Sequence, residues 1–137
     1  MSAEIALQNA VRARLVQTAS ITEAVPAANI LDRNERPNPR PSIIIGEGMS
    51  KDEGDSLARN LTRVWMDLHI WIKEPSTAGS KAVAGAIRAA LKAGNLVSDQ
   101  NEVHIVDAFV ESARFVRDPD GETSHGIVTI NAKVQEL

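Results

Sequence analysis

Between Arg63 and Lys73 the side chains alternate in character without a break. Val64, Met66, Leu68, Ile70 and Ile72 stand on one side, and Arg63, Trp65, Asp67, His69, Trp71 and Lys73 stand on the other. A period of two belongs to a β-strand with one face in a core. About 12 residues at ~3.3 Å each span about 40 Å, whereas a compact domain of this length has a radius of gyration of only about 14 Å. The spacing therefore predicts a strand that overhangs its own domain.

The flanking sequence supplies layers for such a strand. Leu7, Val11 and Leu15 recur at i, i+4 and i+8 within residues 4–18, with Ala3, Ala10 and Thr18 on the same stripe, which predicts a one-sided helix. Ile30-Leu31 and Ser42-Ile43-Ile44-Ile45 read as two short strands. The segment from Asn34 to Pro41 between them carries Pro37, Pro39 and Pro41 and reads as an extended connector. The stretch 47–60, polar and rich in glycine and charge, predicts a mobile loop. After Pro75 a second helix is expected, capped by Ser76 or Thr77 and burying Val83, Ala86, Ile87, Ala90 and Leu91, with Gly94-Asn95 as its stop. Residues 103–117 and 126–135 are rich in Val, Ile and Phe. The turn Asp118-Pro119-Asp120-Gly121 between them predicts a β-hairpin. The order implies an α+β fold: an antiparallel-dominated sheet of four or five strands with two helices packed on one face.

At 137 residues the chain reads as one domain, 1–137. Surface scaling from its 14.8 kDa gives about 21,500 Å² unfolded and about 7,000 Å² folded, enough burial for a core without staples. Fifteen basic and 18 acidic residues leave a net charge of −3, which disfavours a role in coating nucleic acid. With no cysteine, disulfides, thiolate metal sites and cysteine nucleophiles are excluded, and a reducing compartment fits. Met1-Ser2-Ala3-Glu4 opens without a basic or apolar run, and no apolar stretch nears ~18 residues, so neither a secretory leader nor a membrane span is expected.

The chemical motifs are few. Gly46-Glu47-Gly48 follows a strand, but Lys51 stands where a dinucleotide loop needs its third glycine, so a plain turn is expected. His69, His104 and His125 lie far apart. Two of them meeting across the sheet with Asp67 or Asp107 would make a weak metal or acid–base constellation, but no ligand spacing supports it, so neither metal nor cofactor is expected. No Gly-x-Ser-x-Gly is present, and nothing marks a catalytic residue. Lys81, Arg88 and Lys92 line one side of the second helix and read as its wet face. Glu47, Asp52, Glu53 and Asp55 concentrate acidity on the polar loop. Trp65 and Trp71 project from the polar side of the long strand beside Arg63 and Lys73, where either the chain's own helices or another subunit must cover them. With the overlong strand, this favours a homo-oligomer.

The segment Phe115-Val116-Arg117-Asp118-Pro119-Asp120-Gly121-Glu122-Thr123-Ser124-His125-Gly126, with the alternating strand to Val134, resembles the tail-completion (tail-terminator) proteins of long-tailed bacteriophages, prophages and gene transfer agents. Ala6-Leu7-Gln8-Asn9-Ala10, Ile30-Leu31-Asp32, Pro41 to Gly46, Leu68-His69-Ile70-Trp71 and Ile87-Arg88-Ala89-Ala90-Leu91 follow in the family's order. Positions Leu31 and Ile43 lack the aromatic that members often carry. The resemblance implies a structural virion protein assembled in the bacterial cytoplasm and not an enzyme. It implies a ring of about six copies closed through heterologous interfaces at the head-proximal end of the tail tube. Such a ring would stop tube growth and join the tail tube protein to the head connector, with DNA only as passing cargo. On that basis the acidic loop is expected to face the lumen or the adjoining ring. The alternatives are another structural part, a head–connector adaptor or tube subunit, and a small hydrolytic or metal enzyme using His69 and His104.

Overall fold

The computed structural model describes residues 2–32, 41–54 and 57–137. The first helix, α1 (Ala3–Val16), starts at Ser2, whose hydroxyl accepts from the Ile5 backbone N–H, and it buries Leu7, Val11 and Leu15 as the spacing predicts. A short helix, α2 (Ala19–Thr22), and a single 3₁₀ turn at Ala27–Asn29 lead into β1 (Ile30–Asp32). Then come β2 (Ser42–Asp52), β3 (Leu61–Lys73), α3 (Ala78–Lys92), β4 (Val103–Arg117) and β5 (Thr123–Glu136). The five strands form one sheet in the order β1-β2-β3-β5-β4. It is α+β as expected, and mixed, because β1 runs parallel to β2 while every other pairing is antiparallel.

Side-chain alternation on β3 sorts the sheet into two faces. Val64, Met66, Leu68 and Ile70 are buried in one cluster with Ile43 and Ile45 of β2 and Val128, Ile130, Ala132 and Val134 of β5. Leu7, Val11 and Leu15 of α1 and Val83, Ile87 and Leu91 of α3 close that cluster, so both long helices lie on the same face. Arg14 of α1 donates to the carbonyls of Ala90, Gly94 and Asn95, satisfying the acceptors that the end of α3 leaves open. No helix among the described residues is long and apolar enough to cross a membrane.

Three expectations are corrected. The stretch 47–60 is not one loop: β2 continues to Asp52, and only residues beyond it connect to β3. Gly46-Glu47-Gly48 is accordingly a bulge within a strand and not a turn, since the register slips between Ile45 and Gly48 opposite β3. The long strand also has no surplus edge. It lies at the centre of the sheet, paired along its whole length with β5 and over Thr62–Trp71, apart from the bulge, with β2. The edges are β1, three residues long, and β4, which pairs only with β5 among the described residues and carries two irregularities, at Val106 and Glu111. Bulges of this kind twist an edge away from indiscriminate pairing. The proline connector, apart from Pro41, and Asp55 of the acidic group lie outside the described residues.

The β4–β5 turn forms as predicted. Gly121 adopts φ +74°, a conformation that costs a side-chain-bearing residue ~1–2 kcal/mol. Asp120 accepts from the backbone N–H of Glu122 and Thr123 and from the Thr123 hydroxyl. α3 starts after Thr77, one of the two expected cap positions, but its capping hydrogen bonds come from elsewhere. Thr77 makes no side-chain cap, and Ser76 accepts only from the Ala78 N–H, while Glu74 reaches forward to accept from the N–H groups of Gly79 and Ser80. Ser124 of β5 donates to the same carboxylate, which ties helix to sheet. Burial would raise the Glu74 carboxyl, but the hydrogen bonds from Ser124, Gly79 and Ser80 outweigh it and leave it below its ordinary value. Glu74→Ala is expected to cost about 1–2 kcal/mol at neutral pH. Urea unfolding checks this, and a loss within 0.3 kcal/mol or so would mean that solvent replaces the carboxylate.

Candidate functional site

Among the described residues no helix covers the second face of the sheet, and it is there that the sequence's candidate residues collect. Arg63, Trp65, Asp67, His69 and Trp71 all project from it, each only partly buried. Opposite them on β5 stand Lys133, Asn131, Thr129, Ile127 and His125. Met49 of β2 and Phe109 and Val116 of β4 extend the face and are 58%, 42% and 38% exposed. Among the described residues no helix encloses either indole.

Two polar networks hold these groups in place. In the first, Arg63 donates from Nε to Glu53 (2.9 Å) and from Nη1 to Asn131 Oδ1 (2.9 Å). Asn131 donates to Glu111 (3.0 Å), and Glu111 also accepts from Trp65 Nε1 (3.2 Å). The chain of contacts runs from the β2–β3 connection to the edge strand. It depends on a bulge, because Glu111 is the residue that the β4–β5 register skips.

The second network is built around His69. Its Nε2 lies 2.9 Å from Glu47 and its Nδ1 2.7 Å from His125 Nε2. His125 in turn stacks on Trp71, with ring centroids 3.8 Å apart and an interplanar angle of 10°. Gly46 makes the arrangement possible: a Cβ there would stand 2.5 Å from His69 Cδ2, so only glycine lets the imidazole lie over the bulge. The Glu47 carboxyl is held below its ordinary value, first by its own backbone N–H and then by His69. Asp67 Oδ1 accepts from Thr129 (2.7 Å) beside it. An open depression of about 200 Å³, lined by Glu47, Gly48, Met49, Trp65 and Asp67, separates the two networks.

The other candidates fall elsewhere. His104 stands opposite Gln135, which pairs with Leu61 at the far end of β3, so it does not meet His69, and Asp107 pairs across from Lys133. The concave site that an enzyme using His69 and His104 requires is therefore not assembled. Of the acidic group, Asp52 pairs with Arg59 (2.7 Å) and Glu53 with Arg63, while Glu47 sits on the sheet and not at the connection. Lys73 lies 3.8 Å from Glu122. Lys81, Arg88 and Lys92 are exposed on α3, as the wet face predicted. Sequence reasoning missed Glu74 and Glu111. It left open which two histidines would meet across the sheet, and the register brings His69 to His125 beside Asp67, with the i, i+2 pair Asp67 and His69 as the available signal for one face.

A comparison with curated proteins gives no match. Among solved structures, a chain of the virion of a native gene transfer agent particle shares the fold, with a TM-score of 0.82 and 20% identity over 98% of each chain. The model of the family described as tail completion protein gp17 matches residues 9–135. The chain therefore belongs to the tail completion protein gp17 family and is a structural component of a virion tail, not an enzyme.

Proposed function

We propose that this protein closes the head-proximal end of the tail tube as a ring of about six copies, through heterologous contacts between identical subunits. The ring stops tube growth and offers the docking surface for the head connector, and DNA passes through it as cargo. Family membership supports the place in the tail, and the helix-free sheet face carries the reading of self-association. On that face Trp65, Trp71, Phe109, Met49 and Val116 present an apolar surface, partly open and crossed by ordered polar groups. Large aromatics in a polar surround have the composition of an interface centre. Arg63 and Lys73 border the contact, and their ion pairs with Glu53 and Glu122 orient them.

The connection between β2 and β3, with Asp52 and Glu53 at its base, faces the adjoining ring in this arrangement. Asp52 and Glu53 carry arginine partners, so contact with another protein surface suits the connection better than a bare acidic lining that repels DNA.

Native mass spectrometry and electron microscopy of the purified protein test the reading. The expected particle has about six times the chain mass of 14.8 kDa. Trp65→Ala is expected to weaken association by at least about 30-fold, the equivalent of ~2 kcal/mol at an interface centre. Its thermal midpoint should stay within a few degrees of the parent, since the indole is only partly buried. A particle of unchanged mass with a lowered midpoint would overturn the assignment of Trp65 to the contact. A twofold larger ring or an open stack would point instead to an adaptor or a tube subunit.

A further inference from the structure

We propose that Glu47, Asp67 and His69 form a binding site for a divalent first-row transition cation of the zinc type on the helix-free face of the sheet. One donor atom from each residue lies within 4.8 Å of the others, and Glu47 Oε2 and His69 Nε2 are 2.9 Å apart. Zinc bonds of about 2.0–2.2 Å place neighbouring tetrahedral donors ~3.4 Å apart, so the carboxylates need to move little. The side chain most free to move is the right one, because Glu47 is 80% exposed. Two carboxylates and a neutral imidazole balance a double positive charge. The imidazole selects zinc, copper or nickel over magnesium and calcium, which prefer oxygen alone. Two of the ligands, Glu47 and Asp67, also line the depression beside Met49 and Trp65, from which water completes the shell.

Two of the three ligands already have the outer partners that metal ligands need. Metal-bound imidazole donates a hydrogen bond from its second N–H to a fixed acceptor, and His69 Nδ1 has His125 Nε2 at 2.7 Å. His125 is itself held by its stack on Trp71. Asp67 gives one oxygen to Thr129, which leaves the other for the cation. Without a cation, Nε2–H of His69 donates to Glu47 and Nδ1 accepts from His125 Nε2–H. With a cation on Nε2, each ring keeps one proton but carries it on its Nδ1, so His69 now donates to His125. Protons are conserved and no other reactant is required. Spacing in the sequence did not point to Glu47, which reaches the site only through the bulge at Gly46, where the absent Cβ lets the ring lie against the backbone.

The test is calorimetric titration of zinc chloride into the chelator-stripped full chain at neutral pH. One zinc per chain is expected. Asp67→Asn and His69→Ala should each weaken binding at least tenfold, and His125→Phe, which keeps an aromatic ring on Trp71 but removes the acceptor, by about 10–100-fold. His104→Ala should leave binding unchanged. In the nitrogen-15 spectrum zinc should move the His69 Nε2 resonance and leave His104 in place. If His69→Ala fails to fold, Glu47→Gln decides, since that exposed side chain has little part in folding. Absence of saturable binding, or equal affinity in the parent, Asp67→Asn and Glu47→Gln, would overturn the site. Stoichiometry is read per chain and assembly from particle mass. Because Met49 and Trp65 border both the contact and the site, the titration is repeated on Trp65→Ala, where one zinc per chain sustains the site whether or not the ring forms, so the two readings fail separately.

Discussion

Leu68→Ala is expected to lower the unfolding free energy by about 3–5 kcal/mol. Leu68 is fully buried at the middle of the central strand, between Ile45 of β2 and Val128 of β5, with the helices above it. Removing its three outer carbons forfeits their transfer energy and leaves a cavity that two rigidly paired neighbours cannot fill. Domains of this size have ~5–15 kcal/mol in total, so the thermal midpoint should fall by about 10–20 °C. Leu68→Met, which nearly conserves volume, should lose less than about 1.5 kcal/mol. Chemical denaturation of the two variants side by side checks the pair, and a loss below about 1 kcal/mol for the alanine variant would mean that this row is not the core. Trp65, three residues away on the same strand, belongs to the opposite face, where substitution should act on association and spare folding.

That division between faces was legible in the alternation of β3, because the pleat converts a period of two directly into two surfaces. The helices were legible for the same kind of reason, and the β4–β5 hairpin was legible because Asp118-Pro119-Asp120-Gly121 contains the residues its turn requires. Strand neighbours were not. Alternation says that a strand has two faces and nothing of what flanks its edges, so β3 read as an overhanging strand when it is the centre of the sheet. The outer half of β2 was hidden for a different reason. Gly48 and Ser50 occupy its helix-side positions opposite Met66 and Val64, too small to show an apolar period, and pairing with β3 holds the segment extended. Glu74 was hidden because it caps α3 from before Pro75, upstream of the positions where a cap is sought. The site around His69 depends on a register that joins positions 56 residues apart and on a bulge, neither of which a local pattern encodes.

Register also sets the response to acid. His125 is placed between Trp71 and His69, and its pKa is lowered to about 4, first by burial and then by the charge of His69. Arg114 pushes in the same direction, while Asp118 and Glu47 push against it. The unfolded ring titrates near its ordinary 6.5. Between that value and about pH 4 the unfolded chain therefore binds a proton that the folded one does not, so stability falls as pH falls. A full proton difference has a slope of about 1.4 kcal/mol per pH unit. The ring is partly open to solvent, which screens the effect, and the loss assigned to it is about 1–2 kcal/mol across the window. Glu74, whose carboxyl is lowered, contributes stability that is lost only below the usual carboxylate range, so the two groups separate along the pH axis. Urea unfolding from neutral pH to about pH 4.5, with a chelator present, should show the parent losing stability steadily and His125→Phe holding nearly level. Parallel curves for the two proteins would mean that His125 takes up its proton in the folded sheet as readily as in the unfolded chain. Its stack on Trp71 would then not exclude water, and the helix-free face would be looser around these rings than their geometry requires.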